Sequence, residues 1–338
     1  ELSAAIQANG LRGGSVVILD PRDGSVLAIA GRPSFAHGPD LYSPSAVGQY
    51  GIPAIAESGE PGPAFKVFAL AAALDARAIQ PNAVFQNHGS FSYAGETVQD
   101  LAPEPAGDET YVQALERPST LAVAWAAMNA GAPAFYATLD RFGFGESTGV
   151  DLPGETSGSL RQPTAPDWYA LDLATNAAGR GFQSTPIQLA AAAVAVANGG
   201  THYQPYVLKK VVDQTVPQIA PTRGAARVIS PEAASALTGL LVAGVDDPAS
   251  PFHGAAVPGY AVAGTAGTIE TPVPNAYNQT QTVATFIGYA PADHPRFVVV
   301  VELDGVQDGS AQSAVSAFGA MTRQLLSYYQ IPPGRPAR

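Results

Sequence analysis

The chain is 338 residues long, 46% hydrophobic and 13% charged, with 17 Lys+Arg against 28 Asp+Glu. That length buries a sizeable core, while a formal net charge of −11 works against nonspecific binding to nucleic acid or an anionic membrane surface. The absence of cysteine excludes disulfides, thiolate metal sites and a cysteine nucleophile, and no apolar run approaches the roughly 20 residues of a bilayer-spanning helix.

In chain order, Glu1 is neither a methionine nor the start of a signal-like stretch, as expected of an excised or processed chain. The first firm element is a hairpin: apolar, β-branched runs from Ser15 to Asp20 and from Ser25 to Ala30 flank a turn ending in Asp23-Gly24. Glu60 to Leu74 predicts a buried helix, with Pro63 at its start and strong helix formers after it. From Arg77 to Arg117 Gly, Pro, Asn and Asp break the pattern, and short helices follow at Thr120–Met128 and Ala134–Phe142. A long Ala-rich helix begins at Ser184-Thr185-Pro186 and stops at Asn198-Gly199-Gly200, residues that favour a left-handed cap.

The last third turns to β runs at Tyr203–Val212, Tyr260–Thr268, Gln281–Ala290 and Phe297–Leu303. A helix near Pro231–Ala243 interrupts them, a helix at Ala311–Tyr329 closes the fold, and Ile331 to Arg338 reads as a frayed end. Strands at both ends of the chain fit one sheet, with the helical middle as a second lobe and a cleft between the two.

Six segments occur in a characteristic order: Asp20 to Gly24, Glu60 to Lys66, Phe142 to Gly149, Thr185 to Ala190, Ala263 to Thr268 and Phe286 to Pro291. In this order and spacing the chain resembles the transpeptidase domain of penicillin-binding proteins, of the class B kind, within the serine DD-peptidase and β-lactamase superfamily. The resemblance runs from about Gly13 to the C-terminal helix. It implies an α/β (α+β) fold in which an antiparallel sheet flanked by helices carries a mainly helical lobe. The whole chain would be one domain, its sheet lobe at about 13–45 and 203–330 and its helical lobe at about 46–202.

Acyl transfer in that family rests on three motifs. The first, S-x-x-K, pairs an attacking serine with a lysine that helps to move its proton; the matching residues here are Pro63, Ala64, Phe65 and Lys66. Proline has no hydroxyl to attack and no N–H to contribute to an oxyanion hole. The second motif, S-x-N, aligns with Ala124-Trp125-Ala126, and the third, K-T-G, with Thr265, Ala266 and Gly267 followed by Thr268. The chain has only three lysines, and the residues three before Lys66, Lys209 and Lys210 are Pro63, Tyr206 and Val207, so no S-x-x-K exists in any register. Neither a G-x-S-x-G elbow nor an H-E-x-x-H helix is present.

The leading expectation is therefore a pseudo-transpeptidase with no catalytic residues. It would have a structural, regulatory or partner-binding role in peptidoglycan synthesis or cell division, on the extracytoplasmic face of the bacterial cytoplasmic membrane. The resemblance implies a protein partner, with peptidoglycan as a further candidate, and membrane attachment only through an N-terminal anchor absent from this chain. Nucleic acid, metal and cofactors are not expected. Two readings compete: an active enzyme using another nucleophile, with Ser58 nearest the motif, and a noncovalent binder of stem peptides or β-lactams. Among single residues, Pro63 reads as a helix-start proline, Lys66 as a lysine kept by a polar pocket with Glu60 as partner, and Trp125 as packing that plugs the old pocket. Asp108-Glu109 and Asp246-Asp247 read as solvated surface acids.

Overall fold

The computed structural model describes residues 1–34, 51–100, 107–210, 224–272 and 279–334. Helix α1 (Leu2–Asn9) leads into the hairpin β1 (Gly13–Leu19) and β2 (Val26–Arg32). Its turn closes through Gly24, whose φ of 78° suits glycine and whose N–H donates to the Asp20 carbonyl at 2.9 Å. A short α2 (Pro53–Ala56) and a 3₁₀ turn (Gly62–Phe65) precede α3 (Lys66–Asp75).

Where the sequence lost its period, short strands form two small sheets: β3 (Val84–Asn87) pairs with β6 (Gly107–Thr110), and β4 (Ser90–Tyr93) with β5 (Glu96–Gln99). The helical lobe continues with α4 (Tyr111–Glu116), α5 (Leu121–Ala130), α6 (Ala132–Arg141), α7 (Ala170–Ala177) and α8 (Pro186–Ala197). Thr185 and Gln188 form a capping box at the start of α8, with Pro186 in its first turn; Gly199, at φ 83°, follows its end.

Strand β7 is confined to Thr201–Tyr203 and pairs with β8 (Ala225–Arg227), so the run expected at Tyr203–Val212 is not a continuous strand. Tyr206 makes only an isolated bridge to Ser25, and Val211 and Val212 lie outside the described residues. Helix α9 (Pro231–Asp246) starts from a Ser230 cap, and β9 (Ala263–Pro272), β10 (Thr280–Ala290), β11 (Phe297–Val306) and α10 (Gln312–Tyr328) complete the chain. In the segment expected to fray, the Ile331 carbonyl accepts from the Tyr260 hydroxyl at 2.6 Å and Gly334 N–H donates to the Gly259 carbonyl at 3.1 Å, while 335–338 lie outside the described residues.

The principal sheet has the antiparallel order β2-β1-β11-β10-β9, which joins the two ends of the chain and leaves β9 at one edge. Because opposed residues share a face, the register defines two layers. Val16 and Ile18 line a groove with Met321 of α10, and Phe286 packs on Phe318 with ring centroids 4.3 Å apart. On the other face, Gly267 of β9 lies so close to the 3₁₀ turn that an added Cβ would be 2.5 Å from the Ala64 nitrogen. That contact sets the turn against the sheet. Behind it, Phe65, Phe68, Phe142, Phe144 and Phe182 interlock edge to face, the Phe65–Phe182 centroids 4.7 Å apart.

Candidate functional site

A cleft of about 620 Å³ opens between the 3₁₀ turn, the segment from Glu116 to Thr120, the end of α7 and the outer edge of β9. Of the residues expected at the site, Pro63, Ala124, Ala266, Gly267 and Thr268 line it. Lys66, Ala126 and Thr265 are fully buried and do not. Thr268 donates its hydroxyl to the Gly309 carbonyl at 3.1 Å, whereas among the described residues the Thr265 hydroxyl has no hydrogen-bond partner.

Lys66 lies one turn behind Pro63, and its ammonium donates to the carbonyls of Ala114 at 2.9 Å, Arg117 at 2.7 Å and Ser119 at 2.7 Å. These bonds fix the backbone that leaves α4 and enters α5. The residues facing Lys66 are thus Arg117 to Ser119, not Ala124-Trp125-Ala126, which sit farther along α5.

Asp100 organises the same segment. Its carboxylate accepts from the Ser119 hydroxyl at 2.7 Å, from the Thr120 N–H at 2.8 Å and from the Thr120 hydroxyl at 3.0 Å. The helix start is thereby capped from outside the helix. On the opposite wall, Gly62 N–H donates to the Gly179 carbonyl at 2.9 Å. Arg180 follows, in a turn whose flanking glycines have φ of 78° and 76°. Arg117, Arg180, Asp100 and Glu116 all line the cleft, and none of them carries a motif in the sequence.

Three single-residue expectations change. The Glu60 carboxylate accepts from the Gly181 N–H at 2.8 Å, which ties the turn to the opposite wall. Trp125 is 40% exposed and meets Phe91 and Phe85 at centroid distances of 5.4 and 6.1 Å, on the helical lobe and away from the cleft lining. Glu109 is buried in β6, which pairs with β3, and is not solvated. Burial pushes Glu109 above the usual carboxylate range, opposed by the charges of Arg117 and Lys66. Glu116 is raised for the same first reason, with the Ser250 hydroxyl opposing and Asp247 adding to the rise. Asp246 and Asp247 are exposed as expected, and among the described residues no group of three or more His, Cys, Asp or Glu could hold a metal ion.

The penicillin-binding protein transpeptidase domain, as a family, matches residues 14–325. The chain belongs to that family. The domain is 33% identical to penicillin-binding protein PbpB of Mycolicibacterium smegmatis over 99% of this chain and 54% of the relative. It is 30% identical to the peptidoglycan D,D-transpeptidase FtsI of Escherichia coli K12, over 98% of this chain and 54% of that protein. The chain thus spans about half the length of the curated relatives it matches. Among solved structures, penicillin binding protein 3 of Mycobacterium tuberculosis, complexed with aztreonam, superposes with a TM-score of 0.87 at 28% identity, covering 99% of this chain and 77% of that one. The family match runs from β1 into α10.

Proposed function

We propose that the domain is a pseudo-transpeptidase, retained for a structural, regulatory or partner-binding role in peptidoglycan synthesis or cell division at the extracytoplasmic face of the bacterial cytoplasmic membrane. The observation that carries this reading is the pairing of Pro63 with a fully engaged Lys66. Pro63 brings no hydroxyl to the cleft and no N–H toward an oxyanion. Three carbonyl acceptors use the three protons of the Lys66 ammonium, and a nitrogen in that state has no lone pair with which to take a proton from a nucleophile. At the family's third motif, Thr265 is neutral and buried where a cation would meet a ligand carboxylate. The names of the relatives, among them FtsI and stage V sporulation protein D of Bacillus subtilis, support the setting.

The Ser58 alternative gains no support from the geometry. Its hydroxyl donates to the Gln183 side-chain oxygen at 3.2 Å, a neutral acceptor too weak to serve as a general base. The test is intact-protein mass spectrometry after incubation with an unhindered, reactive penicillin. The natural chain is expected to show no added mass, and Pro63→Ser is expected to stay unmodified as well because Lys66 remains tied. One drug mass on the natural chain would overturn the reading, and peptide mapping would then locate the nucleophile. Acylation of Pro63→Ser alone would show that one position, not a coordinated loss, separates the domain from catalysis.

A further inference from the structure

The 3₁₀ turn that carries Pro63 is tied at each end to a segment bearing an arginine. At one end Gly62 bonds to Gly179, and Arg180 follows at once, its carbonyl accepting from the Asn176 amide at 2.8 Å and its N–H donating to the Thr175 carbonyl at 3.0 Å. Gly179 packs on the Gly62 carbonyl so closely that no side chain fits there. At the other end Lys66 grips the Arg117 carbonyl at 2.7 Å. Both backbones are fixed, and both residues line the cleft.

Among the described residues neither guanidinium makes a hydrogen bond or an ion pair; the four ion pairs found there involve Arg22, Arg141 and Arg161. Two acids share the cleft with them, and the charge of Arg117 also acts on Glu116 and on the buried Glu109. Both oxygens of Asp100 are engaged by Ser119 and Thr120, and burial disfavours the charged form of Glu116. A chain with a net charge of −11 thus presents, on one concave surface, two arginines that form no ion pair among the described residues. The walls between them include Val98, Pro118 and Phe252. The edge strand β9 adds backbone N–H and C=O groups that, at every second residue, point away from β10.

We propose that Arg117 and Arg180 form a clamp that holds an acidic, extended segment of a protein partner in the cleft over Pro63. This rests on the reading that the cleft carries out no acyl transfer, since an acylating site must keep the space above the turn for its substrate. Carboxylates suit the clamp because a guanidinium fork matches them with two parallel hydrogen bonds. The apolar walls and the strand edge favour a chain over a lone anion. Lys66 is then a positioning residue: it holds the backbone from which Arg117 projects.

The probe is a displayed library of random peptides about twelve residues long, panned on the intact domain. The recovered peptides are then measured by fluorescence anisotropy against the natural chain and an Arg117→Gln/Arg180→Gln double variant. The expected result is enrichment in Asp and Glu, an affinity that falls as salt rises, and a loss of about tenfold or more in the double variant. Because neither guanidinium makes a hydrogen bond or ion pair among the described residues, the double variant should stay folded, which its melting curve checks, and the single variants should each show an intermediate loss. Binders without acidic residues, or binding unchanged in the double variant, would overturn the clamp. If only a peptide ending in D-alanyl-D-alanine bound through the arginines, the partner assignment would fall. A penicillin adduct in the mass experiment would sink the pseudoenzyme reading by a separate readout and would not alter what the arginines bind.

Discussion

The segment from Gly62 to Lys66 and the sheet face beneath it differ in how they treat buried polar groups. In the segment, Gly62 N–H reaches Gly179 and the Lys66 ammonium reaches three carbonyls. On the sheet, the row Gly31–Ser15–Glu302–Thr285–Gly267 runs across all five strands to end under Pro63, and the neighbouring row is Ile29–Val17–Val300–Ile287–Thr265. The hydroxyls of Ser15 and Thr265 are buried there without a partner. Glu302 has Asp304 two residues along its strand and Glu57 near it. An unmade hydrogen bond inside a protein costs more than a made one gains. The turn is therefore a region that mutation can only loosen, whereas the sheet face holds strain that mutation can relieve.

The largest effect should come from breaking the satisfied side. Lys66→Met keeps the length and most of the volume of the side chain but leaves the Ala114, Arg117 and Ser119 carbonyls short of a donor. The expected loss is on the order of 2–5 kcal/mol of unfolding free energy, read as a lower denaturant midpoint. A loss within experimental error would mean that the three carbonyls find other donors, and the contrast between the two regions would vanish.

On the unsatisfied side, burial first, then the charges of Asp304 and Glu57, push Glu302 from the ordinary 4.5 up to about 8. The folded chain thus holds a proton that the unfolded chain releases. The associated stability is full below about 4.5 and is lost as the pH rises through about 8. Glu302→Gln cannot ionise, so it should match the parent near pH 4.5 and exceed it increasingly toward pH 8.5. Thermal unfolding across that range decides the point, since a gap that stays constant with pH would place the cause in packing and not in charge.

How much of this was legible in the sequence divides along similar physical lines. Local signals held where a few neighbouring residues determine the structure: the Asp23-Gly24 turn, the Thr185-Pro186 helix start and the stop at Asn198-Gly199. The motif order brought Pro63 and Ala266 to Thr268 to one cleft. Short strands β3 to β6 escaped because four-residue strands carry too little periodicity, and Glu109 was taken for a surface acid because its cover comes from distant chain. The backbone that Lys66 meets could not be read from the sequence, because Ala114, Arg117 and Ser119 lie about 50 residues away along the chain. Only the reach of Lys66 shows which backbone it meets. Arg117 and Arg180 gave no signal, since a cleft-lining arginine depends on the folding of segments more than 60 residues apart.

The smallest expected effect is the sharpest test of the contrast. Thr265 is fully buried, and its hydroxyl lies in a row otherwise made of Ile287, Val300, Val17 and Ile29. Thr265→Val exchanges that hydroxyl for a methyl group of similar size, which removes the desolvation cost without opening a cavity. A gain of about 1 kcal/mol is expected in equilibrium denaturation, opposite in sign to the Lys66 result. A loss of similar size would show that the hydroxyl has a partner, such as an internal water, and that the position is held by that bond. The gain would mean that the threonine is tolerated, not required, and that this stretch of β9 gains from apolar packing against Ile287.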